Sequence, residues 1–136
     1  MKKFILFLFI LSILAGCGNQ PVQPTQIQQQ TPVENVSISI SDISSTGATV
    51  IITDKNPEPY VYGEWFKLQK EVNGQWQDVP VGIDNYAFSA IGYIPDTNGE
   101  VKFDLNWEWL YGKLPAGNNR LWKEVNFQKI SIDFSV

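Results

Sequence analysis

The chain predicts an all-β fold, an antiparallel sandwich of about seven to nine strands. Three observations carry that expectation. Apolar and polar residues alternate in short runs, turn signals recur between the runs, and no segment holds a sustained helical stripe. "VSISIS" puts Val36, Ile38 and Ile40 on one face and serines on the other, the period of a half-buried strand. "ATVIIT" repeats the pattern after a turn at Thr46-Gly47. "YGEWFKLQKEV" sets Tyr62, Phe66, Leu68 and Val72 on one side, and Asn73-Gly74 then gives the strongest short-range hairpin signal before the return strand "QWQDV". Tyr86 to Ala90 reads as a further short strand. "EVKFDLNW" follows Asn98-Gly99 with Val101, Phe103, Leu105 and Trp107 in phase, and Trp107 to Tyr111 allow a single helical turn. "RLWKEVNF" and "KISIDFSV" close the chain, the last with Ile130, Ile132, Phe134 and Val136 on one face.

The first 33 residues have a different character. "MKKFILFLFILSILAGCGN" begins with two lysines and an apolar run from Phe4 to Ala15, far short of the roughly 20 residues that span hydrocarbon. Residues 1–16 therefore read as an export signal. Leu14-Ala15-Gly16-Cys17 resembles the lipobox of bacterial lipoproteins, which implies that Cys17 is acylated and becomes the N-terminus of the mature chain, anchored to the extracytoplasmic face of the membrane. Acyl burial contributes about 0.8 kcal/mol per methylene, so two chains such as palmitate would anchor stably. Residues 18–33 contain six glutamines, three prolines and no charge, a composition that cannot bury enough apolar area to fold. Residues 17–33 are thus expected to be a lipidated tether, and residues 34–136 one domain.

Composition removes whole classes of function. Histidine is absent and Cys17 is the lone cysteine, so the mature chain has no disulfide, no histidine-based triad and no ordinary zinc or copper site. No catalytic residue, metal or cofactor is expected. Loss of residues 1–16 moves the formal charge from −4 to −6, which argues against a nucleic-acid partner. Asp104 with Glu108 suggests no cleft for paired carboxylates. "DTNGE", Asp96 to Glu100, has the look of half a calcium loop, but its residues are also those a hairpin turn needs.

"YGEWFKLQKEVNGQWQDVP", "AFSAIGY" and "LYGKLPAGNNRLWKEV" resemble a bacterial immunoglobulin-like domain family of exported proteins and lipoproteins in Gram-positive bacteria. The pattern includes Tyr62-Gly63, Phe66, Leu68, Gly74, Trp76 and Val79-Pro80, then Leu110 to Pro115, Gly117, Arg120 and Lys123. The resemblance implies an immunoglobulin-like sandwich and a surface location, with little chemistry. At Asn119 the chain departs from an aromatic reminiscent of the tyrosine corner, so the turn from Leu114 to Arg120 must be held otherwise.

The expected function is a non-enzymatic binding, adhesion or accessory module. Its partners are the membrane, through Cys17, and another envelope protein or a cell-wall glycan. Trp107, Tyr111 and Leu114 are expected to serve the core, whereas Trp65, Trp109 and Trp122 lie on faces opposite the main apolar sets and are the candidate contact surface. The alternative is an exported proteinase-inhibitor-like domain: "GEVKFDLNW" leading to "LPAG" resembles small bacterial inhibitor domains of the same fold, with residues 80–98 as the loop that would enter a protease. Glu64 and Lys123 sit in phase with apolar neighbours and either face each other as a partly buried pair or point to solvent at strand ends.

Overall fold

A computed structural model describes residues 32–136. The export signal, Cys17 and most of the tether lie outside the described residues. Among the described residues nine strands form: β1 (Val36–Ser41), β2 (Gly47–Asp54), β3 (Tyr62–Gly63), β4 (Phe66–Val72), β5 (Gln75–Asp78), β6 (Gly92–Tyr93), β7 (Glu100–Asn106), β8 (Asn118–Val125) and β9 (Gln128–Ser135), with a one-turn helix α1 (Glu108–Tyr111) between β7 and β8. A three-stranded sheet in the order β1-β2-β7 faces a four-stranded sheet in the order β5-β4-β8-β9, and β3 pairs with β6 in a short ladder. All pairings are antiparallel. The expected all-β immunoglobulin-like sandwich is the fold found.

Alternation drives the layers together. β2 buries Ala48, Val50 and Ile52, and β7 buries Val101 and Phe103 opposite them. The other sheet answers with Phe66, Leu68, Leu121, Val125, Ile130 and Phe134. Trp107 is fully buried, its ring 5.4 Å from Phe134, and its indole N–H donates to the Ser45 carbonyl at 2.9 Å. Trp107 and Leu114 are thus core, as expected, and Tyr111 packs partly buried against it. Ser45 also accepts from the Leu114 N–H at 2.8 Å, tying the β1–β2 turn to the segment that follows α1.

Turn chemistry decides the register. Asn73 (φ 51°) and Gly74 (φ 77°) join β4 to β5 in the expected hairpin. Asp96 accepts from the N–H groups of Asn98 and Glu100 at 2.8 and 3.0 Å, so the "DTNGE" stretch is a turn whose first carboxylate is occupied by backbone. At the Leu114–Arg120 corner, buried Asn119 donates through Nδ2 to the Gly117 carbonyl at 3.0 Å, a local hydrogen bond in place of an aromatic hydroxyl.

Three expectations need correction. Tyr86 to Ala90 is irregular rather than a strand, because its backbone pairs with nothing while Phe88 turns inward onto Phe66. The run "RLWKEVNF" does not continue as a strand to Phe127, since Asn126 and Phe127 form the turn between β8 and β9. The uncharged composition assigned Val33 to the tether, yet Val33 is buried in the core and its carbonyl accepts from Val36.

A buried carboxylate organises the loop after β2. Asp54 accepts from the N–H groups of Asn56 (2.9 Å) and Tyr60 (2.8 Å), from the Asn56 amide (2.8 Å) and from the Tyr62 hydroxyl (2.8 Å). Burial pushes its pKa up, but these hydrogen bonds outweigh burial and hold it below the ordinary 3.8. The unfolded chain therefore takes up this proton at higher pH than the folded chain. The resulting stability is present above about pH 3.8 and is lost as pH falls through the lower folded value; exposed Asp78 adds in the same direction. Asp54→Asn is expected to lower stability by about 1–3 kcal/mol at pH 7 and to flatten the acid limb of a urea-denaturation pH series. Gly47 supplies a steric test. A Cβ there would lie 2.2 Å from the Leu105 carbonyl oxygen, whereas one at Gly63 would meet nothing within 4 Å. Gly47→Ala should cost about 2–3 kcal/mol and Gly63→Ala close to nothing, measured as thermal midpoints.

Candidate functional site

β7 is an edge strand. It pairs with β2 on one side, and its other edge, from Lys102 to Asn106, opens onto a cleft of about 330 Å³ between the two sheets. Aromatic rings wall the cleft: Phe66 at the start of β4, Phe88 from the irregular segment, Tyr93 on β6, Phe103 on β7 and Trp109 on α1. The one-turn helix explains Trp109. With Trp107 and Leu110 turned into the core, Trp109 is left outward, 43% exposed. Its ring makes edge contacts with Phe88 (5.8 Å) and Tyr86 (6.4 Å), and Phe88 in turn meets buried Phe66 at 5.3 Å.

One carboxylate enters this aromatic wall. Glu64, in the two-residue break between β3 and β4, accepts from the Tyr93 hydroxyl at 2.5 Å. That bond to Glu64 raises the Tyr93 pKa above its usual range. Lys102 and Asp104 form an exposed ion pair at 3.3 Å on the rim, and Thr49 donates to Asp104 at 3.0 Å. Glu108 is directed to Lys113 at 4.0 Å, so Asp104 and Glu108 have separate partners. The lining suits a ligand with an apolar group for the rings, a donor for Glu64 and an extended backbone for the β7 edge.

Behind the cleft lies Lys123. It is fully buried, donates to the Gly63 carbonyl at 2.7 Å and places its ammonium 3.9 Å from the Phe103 ring centre. Lys123 is therefore core-facing, as its phase implied, but Glu64 is bonded to Tyr93 rather than to it. Burial brings the Lys123 pKa down to about 8, with the nearby Glu64 charge acting against that shift.

The three tryptophans proposed as one contact surface do not form one. Trp109 borders the cleft. Trp122 is buried, contrary to the expected exposure, because its indole donates to Gln69 at 2.8 Å within a layer of side chains covering the outer face of the four-stranded sheet. Trp65 is half-buried beside Lys129 on that same face, 5.3 Å from its ammonium. The layer includes a residue pair that alternation alone does not flag: Arg120 lies 4.1 Å over the Trp76 ring and makes a bidentate pair with Asp133 at 2.6 and 3.0 Å. Residues 80–98 are largely exposed and are tied to the domain where the Gly82 N–H donates to Leu110 at 2.8 Å and Phe88 packs on the core. Sequence reasoning missed Tyr86, Phe88 and Tyr93 as site residues. Their only signal was aromatic content in a segment without alternation.

The chain belongs to the bacterial Ig-like domain family, whose model matches residues 32–135. Neither the curated proteins nor the solved structures offer a significant match. The family match covers every strand described above and begins one residue before the buried Val33.

The buried lysine has a pH signature. The unfolded chain keeps this proton to about pH 10.5, whereas the folded chain releases it near 8, so stability rises with pH across that interval. Above about pH 10 the slope reverses, because burial and the Asp54 bond raise the pKa of Tyr62, the Glu64 bond raises that of Tyr93, and burial raises that of Tyr111. Folding stability should therefore increase by about 1–2 kcal/mol from pH 7.5 to 9.5 in denaturant titrations, and Lys123→Met should abolish the increase.

Proposed function

We propose that this chain is a non-enzymatic, membrane-anchored surface lipoprotein whose Ig-like domain is a binding, adhesion or accessory module for an envelope partner. Cys17 carries the lipid anchor. The β7 edge and the cleft beside it receive the partner. Membership in the bacterial Ig-like domain family supports a surface binding role, and the residues around the cleft support its location.

The observation that carries the proposal is the coincidence of an unpaired strand edge with an aromatic wall that ends in the exposed ring of Trp109. An extended segment laid along Lys102 to Asn106 would continue the β1-β2-β7 sheet by backbone hydrogen bonds. Alternate side chains of that segment would meet Trp109 and Phe88, and a donor among them would find Glu64. Backbone pairing supplies affinity with little sequence preference, and the aromatic wall supplies selectivity. The chemistry around the cleft also fits binding better than turnover, since both of its carboxylates are already engaged, Glu64 by the Tyr93 hydroxyl and Asp104 by Lys102 and Thr49.

Three measurements test this reading. A photo-crosslinking amino acid placed at Trp109 in the full chain should form a discrete adduct with one envelope protein, and the same group at Ile43 should not. Trp109→Ala should weaken capture of that protein by about tenfold or more while leaving the melting temperature nearly unchanged. Equal adduct formation at both positions would overturn the location. Incorporation of labelled palmitate into the wild-type chain, and its loss in Cys17→Ser with release from the membrane fraction, tests the anchor separately.

A further inference from the structure

The four most exposed large apolar side chains of the described residues are Phe127 (96%), Ile94 (71%), Val61 (61%) and Ile91 (54%). All four lie at one end of the sandwich. Val36 opposite Asp54, and Thr53 opposite Glu100, define that end of the three-stranded sheet. Phe66 opposite Lys123, and Val125 opposite Gln128, define it in the four-stranded sheet. The Tyr62 hydroxyl on Asp54 and the Lys123 ammonium on Gly63 join the two. Val61 precedes this β3 clip, Ile91 and Ile94 flank β6 beside it, and Phe127 is the tip of the β8–β9 turn.

Phe127 is unusual in a second respect. Its φ of 63°, after 46° at Asn126, places a bulky L residue in the left-handed region of a two-residue hairpin turn that favours Asn-Gly. The strain is on the order of 1 kcal/mol, and almost none of the ring is buried in return. An aromatic that weakens its own turn and adds nothing to the core points to a use outside the fold.

The same end receives the chain from its N-terminal side. Val33 is tucked beneath Val36, and the Asn35 carbonyl accepts from Lys55, so Pro32 leaves the domain here. Only 14 residues, 18–31, separate Cys17 from Pro32. A chain held at Cys17 would therefore be joined to the membrane through this end of the domain.

We propose that this end is a bilayer seat, in which Phe127, Val61 and Ile94 rest in the interfacial region of the membrane that holds Cys17. The seat rests on the lipid anchoring proposed above. Its chemistry is apolar rather than electrostatic, because Lys55 and Lys129 are outnumbered there by Glu34, Glu58, Glu100 and Glu124. A tethered aromatic needs little affinity of its own, since the anchor supplies a high local concentration of membrane. Seating would leave the free edge of β7 from Lys102 to Asn106 open to a partner.

The test uses the full-length acylated chain in phosphatidylcholine vesicles, some carrying a quencher on the acyl chains. A fluorophore is placed on Gln128→Cys, or at the opposite end on Ala116→Cys. Quenching at the Gln128 site should exceed that at the Ala116 site by about threefold or more. It should be insensitive to about 0.5 M salt and should not rise with anionic lipid. Combining Phe127→Gly with Ile94→Asp should reduce it to the Ala116 level. Phe127→Gly alone should keep or raise the melting temperature, which separates the seat from folding. Equal quenching at both sites in a chain that still floats with vesicles overturns the seat and leaves the anchor standing. Failure to float overturns the anchor and the seat together. Protection of the Gln128 site that depends on protein concentration instead of lipid overturns the seat in favour of a second copy of the chain.

Discussion

The two sheets share no continuous strand ladder, so the fold depends on how their inner faces are joined across the gap between them. Most of that joining is apolar, Val50, Ile52 and Phe103 on one side and Leu68, Leu121 and Phe134 on the other. At one end it is also polar. Lys123 reaches from β8 through the core to the Gly63 carbonyl and lies over Phe103 of the opposite sheet. Asp54, at the end of β2, holds the hydroxyl of Tyr62 on β3. A buried ammonium and a buried carboxylate are each costly unless satisfied: Lys123 is satisfied only when β3 and the opposite sheet are in place, and Asp54 only when the loop after β2 and β3 fold onto it. Apolar contact supplies most of the cohesion, while these two groups select a single alignment of the layers.

The irregular segment from Val79 to Ile91 has a structural consequence larger than its own packing. In its course from β5 to β6 it contributes no strand beside β7, so the three-stranded sheet ends at an open edge. Open edges invite pairing with other chains, and this one is partly guarded by the exposed Lys102–Asp104 pair on its rim. The aromatic residues of the irregular segment gather beside that edge. One departure from regular structure thus produces both the backbone groups and the rings that a partner would meet.

Polarity along the long axis is the second consequence of the architecture. The end where the chain enters has the strained Phe127 turn and the exposed pair Val61 and Ile94, while α1 and Trp109 follow the opposite end of β7. The tyrosine corner is replaced at that far end by the short bond from Asn119 to Gly117, which keeps the approach to β8 tight without a large ring.

Much of the strand pattern was legible in the residues themselves, because a period of two on a half-buried sheet is a local property. Asn73-Gly74 specified its hairpin, and Trp107 and Leu114 were readable as core from their phase and spacing. Asn126-Phe127 was not readable as a turn, since its geometry asks for glycine and only the pairing of Val125 with Gln128 forces a phenylalanine into it. Trp122 alternates outward as its position says, yet it is buried, because Gln69 and neighbouring side chains on adjacent strands cover it. The cleft likewise joins Glu64, Phe88, Tyr93 and Trp109, residues separated by up to 45 positions and lacking any shared period. Sequence by itself determined the alternation and the Asn73-Gly74 turn, because both depend on neighbours in the chain. Tertiary structure alone decided which outward side chains are covered, which strand edge is left open and which end of the sandwich gathers the exposed apolar groups, because those outcomes depend on what other strands bring alongside.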